Sequence, residues 1–203
     1  AVALSPDEST LYVANNEGKH VHVLDAATGA ETARVFVGDQ PYDLKMDAPR
    51  NQLAVSLWGE SHVVFVDLAS NTVISEAETG KNPEVMLLGP GGERLYVANS
   101  DSDTVSVVDL ASRSVVETLS LRLWHPTLRG LSPNHLALSP DEQSLLVTSP
   151  GVNAVEVFDL VTLDHLGSIP TAWYPSAIAF SPATDELYVT NMKGVGAGPS
   201  TGD

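Results

Sequence analysis

The side chains best suited to recognition are the three tryptophans, Trp58, Trp124 and Trp173, with Tyr42 and Tyr174 beside two of the prolines. Trp and Tyr are the residue types most enriched at binding hot spots, because each presents a large rigid ring with a polar tip. Arg122 and Arg129 stand near Trp124 in sequence, Lys193 follows the last strand copy, and His125 follows Trp124 as a polar contact. His20 and His22 alternate along one predicted strand, a spacing at which two ring nitrogens can share a metal. No third ligand with suitable spacing is evident, so a structural role for this pair is favoured and the sequence assigns neither a metal nor a cofactor. No Ser-His-Asp order can be assigned, and Glu84 is a lone candidate for a carboxylate outside the turns. The run Gly194-Val195-Gly196-Ala197-Gly198 does not join a strand to a helix and reads as a flexible tail, not a phosphate cradle.

The elements that must hold these residues are set by a repeat. Leu11-Tyr12-Val13-Ala14-Asn15 returns as Leu95-Tyr96-Val97-Ala98-Asn99 and Leu187-Tyr188-Val189-Thr190-Asn191. Weaker copies begin at Leu53 and Leu145, so the steps are 42, 42, 50 and 42 residues. Asp25, Asp67, Asp109 and Asp159 keep the same register, and so do Pro41, Pro83, Pro133 and Pro175. A period in the forties with several strands per unit predicts an all-β protein, a β-propeller with four-stranded antiparallel blades.

The third unit shows the plan. Val85–Leu88 is an apolar inner strand, Gly89–Gly92 a turn, and Leu95–Ala98 the second strand. A polar loop over 100–103 leads to Val105–Val108, and the outer strand runs from Ser114 to Leu121. The Asp column reads as turn chemistry: a carboxylate ending a strand accepts N–H groups of the following turn, helped by the Ser or Thr three residues on. Asn15, Asn99 and Asn191 are expected to cap the loop after the second strand. Units are expected near 1–42, 43–84, 85–134, 135–176 and 177–193, with a flexible linker over 194–203. Only two strands of the fifth unit are visible, which suggests part of a longer chain or completion by a partner.

In such a blade the loop between the second and third strands and the connection to the next blade open at one end of the disc. All three Trp, Tyr42, Tyr174, His125, Arg122, Arg129, Lys193, Lys19 and Lys81 map there. So does the eight-residue excess of the 50-residue step, around 121–129. The aromatics can serve a binding face or cover the channel and pack between blades; the insertion favours binding for Trp124.

Net charge is −16 over 203 residues, which disfavours a nucleic-acid partner. Cysteine is absent, which excludes disulfides and thiolate sites. No apolar run is long enough to span a membrane and no charged-then-apolar leader is visible. The partner expected is a protein or an adjacent domain.

The Tyr188-Val189-Thr190-Asn191 strand and its copies resemble the YVTN family of β-propellers. That resemblance implies a fold of mostly seven blades, a periplasmic or extracellular location, and binding or scaffolding more often than catalysis. The order 131–141, Ile169–Pro175 and Leu187–Gly196 is also similar to two-part proteins. In those a YVTN propeller precedes an alkaline-phosphatase-like phosphoesterase domain. This similarity implies an alternative: the propeller part of a metal-dependent phosphoesterase whose catalytic domain lies outside this chain.

Overall fold

The computed structural model describes residues 1–122, 127, 129–181, 184 and 186–193. Four four-stranded antiparallel sheets follow one another as up-and-down meanders. They are β1–β4 (Val2–Leu4, Thr10–Asn15, His20–Asp25, Glu31–Phe36) and β5–β8 (Pro41–Asp47, Gln52–Leu57, His62–Asp67, Thr72–Glu78). Next come β9–β12 (Pro83–Leu88, Arg94–Asn99, Thr104–Asp109, Ser114–Ser120) and β13–β16 (Leu136–Leu138, Ser144–Ser149, Ala154–Asp159, His165–Pro170). A fifth sheet holds β17 (Pro175–Phe180) and β18 (Leu187–Asn191). We number these sheets as blades one to five.

Inner strands touch successive inner strands: β1 meets β5, β5 meets β9, and β13 meets both β9 and β17. The sheets therefore radiate from a common side and stack face to face. Because side chains alternate across a strand, each blade feeds two cores. Leu95 and Val97 of β10 join the core shared with blade two, beside Phe65 and Met86. Tyr96 and Ala98 join the core shared with blade four, beside Leu145 and Phe158. Strands buried on both faces lose the polar alternation of a one-sided sheet, which is why β6, β10 and β14 read as nearly continuous apolar runs.

The pairing of each third strand with its outer strand carries an irregularity at one place: between Val23 and Leu24, Phe65 and Val66, Val107 and Val108, and Val157 and Phe158. A bulge at a fixed point adds the same right-handed twist to every blade. The Asp column does what its chemistry predicted. Asp25 accepts the N–H and hydroxyl of Thr28, Asp67 and Asp109 do so with Ser70 and Ser112, and Asp159 accepts the N–H groups of Val161 and Thr162. These bonds hold the carboxyls of Asp25, Asp67 and Asp109 below the ordinary range, through the Ser or Thr hydroxyl and N–H bonds together. For Asp159 the backbone bonds lead.

The Asn column departs from expectation. Asn15 does cap its loop by accepting the Gly18 N–H at 2.9 Å. Asn99 is fully buried and donates instead to Thr104 and Ser106 of the next strand, at 3.1 and 2.9 Å. Burial between two blades turns this side chain inward, where a strand hydroxyl is the nearer acceptor.

Candidate binding face

Two belts of hydrogen bonds fix the ends of the stack. At one end, 2–3 loops bond to the connections between blades. Trp58 N–H donates to Gln40 O, Ser100 N–H to Asn82 O, Gly151 N–H to Leu131 O, and Met192 N–H to Tyr174 O. At the other end, 1–2 turns bond to 3–4 turns: Ala26 to Ser9, Leu68 to Asn51, Leu110 to Glu93, and Leu160 to Gln143. The meander dictates this segregation, since successive turns of an antiparallel sheet lie at alternate ends. Trp58, Trp173, Tyr42, Tyr174, Arg122, Arg129 and Lys193 all lie in or beside segments of the first belt. Trp124 and His125 fall outside the described residues, as does the predicted tail over 194–203.

The described residues of this end form three groups. The first spans blades two and three: the Trp58 indole N–H donates to Glu84 Oε1 at 3.2 Å, and Asn82 Nδ2 donates to Trp58 O. Tyr42 lies near Glu84, whose charge adds to burial in pushing its phenol pKa up. Glu84, the lone carboxylate of the sequence reading, is thus an indole acceptor. Trp58 and Tyr42 remain exposed, at 37% and 41%.

The second group spans blades four and five. Lys193 Nζ stands 5.5 Å from the centre of the Tyr174 ring, a cation–π contact. Lys193 N–H reaches back to Trp173 O, and Trp173 is 40% exposed. Tyr174 has φ of 60°, a left-handed conformation that a bulky side chain adopts at a cost of about 1 kcal/mol or more. Asn153 Oδ1, accepting the Tyr174 N–H at 2.9 Å, holds it there. Residues before the other column prolines, Gln40, Asn82 and Ser132, share this conformation. The connection therefore turns sharply before each buried Pro.

The third group is one that sequence reasoning missed. Asp103, 1% exposed, closes the 2–3 loop of blade three. Its carboxylate accepts Arg122 Nε at 2.9 Å, Gly130 N–H at 3.1 Å, Leu131 N–H at 2.8 Å and Ser132 N–H at 3.2 Å. One buried acid thus clamps both ends of the insertion. Arg122, 22% exposed in its side chain, is tied into that clamp, while Arg129 is exposed. The available signal was positional: Lys19, Ser61, Asp103 and Asn153 are equivalent in the repeat, and the acid precedes the one long connection.

The opposite end holds the repeated acids and a polar seam. Arg50 reaches Asp47, Gly92 O and Glu93, and Gln52 bonds Asp47, Leu110 O and Arg113. These bonds tie blade two to blade three. His22, of the sequence-proposed pair, is held by Asn15 and Glu31, and His20 by the Gly18 carbonyl.

No family model matches the chain. It is 24% identical over 193 residues to antigen Lp49 of Leptospira interrogans serogroup Icterohaemorrhagiae serovar copenhageni, covering 91% of this chain and 41% of that protein. It is 27% identical over 124 residues to the uncharacterized protein YncE of Escherichia coli K12, covering 55% of this chain and 35% of that one. The solved structure of dihydro-heme d1 dehydrogenase NirN in complex with DHE superposes with a TM-score of 0.69 and 15% identity. That match covers 84% of this chain and 37% of the other. The fold is that of a β-propeller. The chain spans well under half the length of each of these proteins, and the structural match at this identity speaks to fold alone. Among the described residues, no helix is long and apolar enough to cross a membrane.

Proposed function

We propose that this chain acts as a non-catalytic β-propeller module in the periplasm or outside the cell. It binds a protein partner or an adjacent domain through the end that carries Trp58, Trp173, Tyr42, Tyr174 and the cations. One observation carries this reading: the exposed rings of Trp58, Trp173 and Tyr42 stand in the belt of 2–3 loops and connections, while the opposite end is built from saturated turn acids and an inter-blade seam. Loops on a rigid scaffold are where recognition concentrates. The clamp at Asp103 supports the same reading, since it holds Arg122 and residues 130–132, the two ends of the long connection, in this rim. The absence of cysteine and the likeness to YVTN propellers support the location.

The test is partner binding by a Trp58→Ala/Trp173→Ala double variant. A partner captured by the wild-type chain and identified should be lost by the variant, with little change in melting temperature. Retained binding with a large fall in melting temperature makes these rings packing residues and ends the proposal.

The resemblance of residues 131–196 to propellers joined to phosphoesterases favours a second reading, in which this end docks a catalytic domain. The full-length gene distinguishes them. A metal-dependent phosphoesterase domain encoded after Asp203 supports the second reading, and its absence leaves the first.

A further inference from the structure

An open cavity of about 480 Å³ lies along the inner strands beside the rim just described and shares Tyr42 with it. Its wall includes Asn16, Tyr42, Asp43, Lys45, Val85 and His135, from blades one to four. This volume lies in the range of small-ligand sites, which are largely apolar with a few directed polar groups.

The polar groups have a definite arrangement. The Asp43 carboxylate is saturated by its surroundings: Oδ1 accepts Leu44 N–H and Oδ2 accepts Met86 N–H, both at 2.8 Å. Lys45 Nζ stands 3.0 Å from Oδ2. Asp43 is therefore occupied in joining β5 to β9, and it fixes the Lys45 ammonium in the channel. An ammonium has three N–H donors, more than the pairing with Asp43 uses, and Lys45 lines the cavity. His135 adds an imidazole ring to the wall of the cavity. Burial first, and then the Lys45 charge, lowers its pKa, with Asp43 opposing, so the ring is neutral at pH 7. The Tyr42 phenol, pushed up by burial and by the Glu84 and Asp43 charges, stays protonated and can donate.

We propose that this cavity binds a small organic acid, its carboxylate on Lys45 and the His135 imidazole, and its apolar body against Val85 and the Tyr42 ring. The donor set chooses among ligands. A cationic ligand would need free acceptors, and both oxygens of Asp43 are taken. A phosphate dianion beside Lys45 would have Asp43 and Glu84 close by to repel it. A monoanionic carboxylate with an apolar body matches the Lys45 ammonium, the neighbouring imidazole and a mostly apolar wall. Charge-assisted hydrogen bonds to the carboxylate supply the directed part of the affinity. The inference is independent of which partner docks on the rim, since Tyr42 alone of the aromatic and basic rim residues named above lines the cavity.

The test is a titration of the chain with cinnamate, cinnamamide and inorganic phosphate, followed through the His135 ring resonances. Cinnamate should shift these resonances saturably, while the uncharged amide and phosphate leave them in place. Lys45→Met should weaken cinnamate about tenfold, and Lys45→Arg, which keeps the charge and the Asp43 pairing, should retain binding. An equal response to cinnamamide or to phosphate overturns the proposal, as does a folded Lys45→Met chain that binds as the wild type does. If Lys45→Met does not fold, the comparison of acid with amide on the native chain decides. Loss of partner binding in the rim variant with an unchanged cinnamate titration leaves this site standing and bears only on the rim.

Discussion

The pentapeptide Leu-Tyr-Val-Ala-Asn occurs twice without change, as β2 residues 11–15 and β10 residues 95–99, and the two copies have different surroundings. In β10 all five residues are at most 1% exposed. In β2 only Tyr12 is buried, Leu11, Val13 and Ala14 are half-buried, and Asn15 is exposed. Blade three lies between two other sheets, whereas blade one has a neighbour on one face only among the described residues. Its outward side leaves Val2 and Leu4 exposed at 66% and 45%. The third copy makes the complementary case. Leu187 and Val189 pack toward blade four, and Tyr188, the counterpart of the buried Tyr96, is 57% exposed. The lesson is that the motif encodes a strand with two apolar faces, and each face contributes only where a second sheet covers it.

Substitutions can sharpen this contrast. The largest effect is expected at Asp103, whose removal leaves Arg122 and three N–H groups without their acceptor. Asp103→Ala should cost about 3–5 kcal/mol in urea unfolding. Its equivalent in blade one, Lys19, makes an exposed 3.3 Å pair with Asp39, so Lys19→Ala should stay within about 0.5 kcal/mol. Similar losses at the two positions would mean that the clamp is not what holds the insertion.

Next come the leucines. Leu95→Ala should cost about 2–5 kcal/mol, the range for emptying a packed core site. Leu11→Ala, at the matching position of a half-covered face, should cost about 1 kcal/mol. Equal costs would show that blade one is covered in solution and would locate a partner on that face.

A smaller effect is expected from acid. The turn carboxylates have depressed pKa values in the folded chain, led by bonds from Ser or Thr hydroxyls and backbone N–H groups. The unfolded chain therefore takes up protons first as pH falls. The stability these groups contribute is present above about pH 4, the ordinary Asp value, and is lost as pH drops through the folded values. Denaturation midpoints measured between pH 5 and pH 3 should fall as these carboxylates are protonated. An Asp67→Asn/Asp109→Asn variant should show a shallower fall.

The smallest effect concerns His135. Its folded pKa lies below the ordinary 6.5, so its contribution is present above that value and is lost as pH falls below it. His135→Gln should flatten this part of the profile. An unchanged slope between pH 7 and pH 5 would mean that burial does not hold the ring neutral.

Much of the fold was legible in the sequence because repeats expose it. Copies at fixed spacing separate strand residues from turn residues, and Ser70 and Ser112 beside their Asp state the turn chemistry directly. The candidate face was legible in outline, since antiparallel meanders send alternate turns to opposite ends. Asp103 was not, because a buried acid closing a loop looks like any polar loop residue until the connection it clamps is seen. Asp43, Lys45 and His135 were hidden for the same reason. Asp43 and Lys45 share β5, but His135 comes from blade four and meets them only across the inner strands.

What the sequence determined by itself is local and periodic: strands with period-two apolar faces, turns with their acids, and which loops share an end. Tertiary structure decided what covers each face. Identical residues became core at Leu95 and half-exposed surface at Leu11, and the Asp43–Lys45 pair of β5 came to share one cavity with His135, distant in the chain. The physical reason is that alternation along a strand is set by backbone geometry within a few residues. Burial and electrostatic neighbours are set by whichever sheet packs alongside, and no single repeat contains that information.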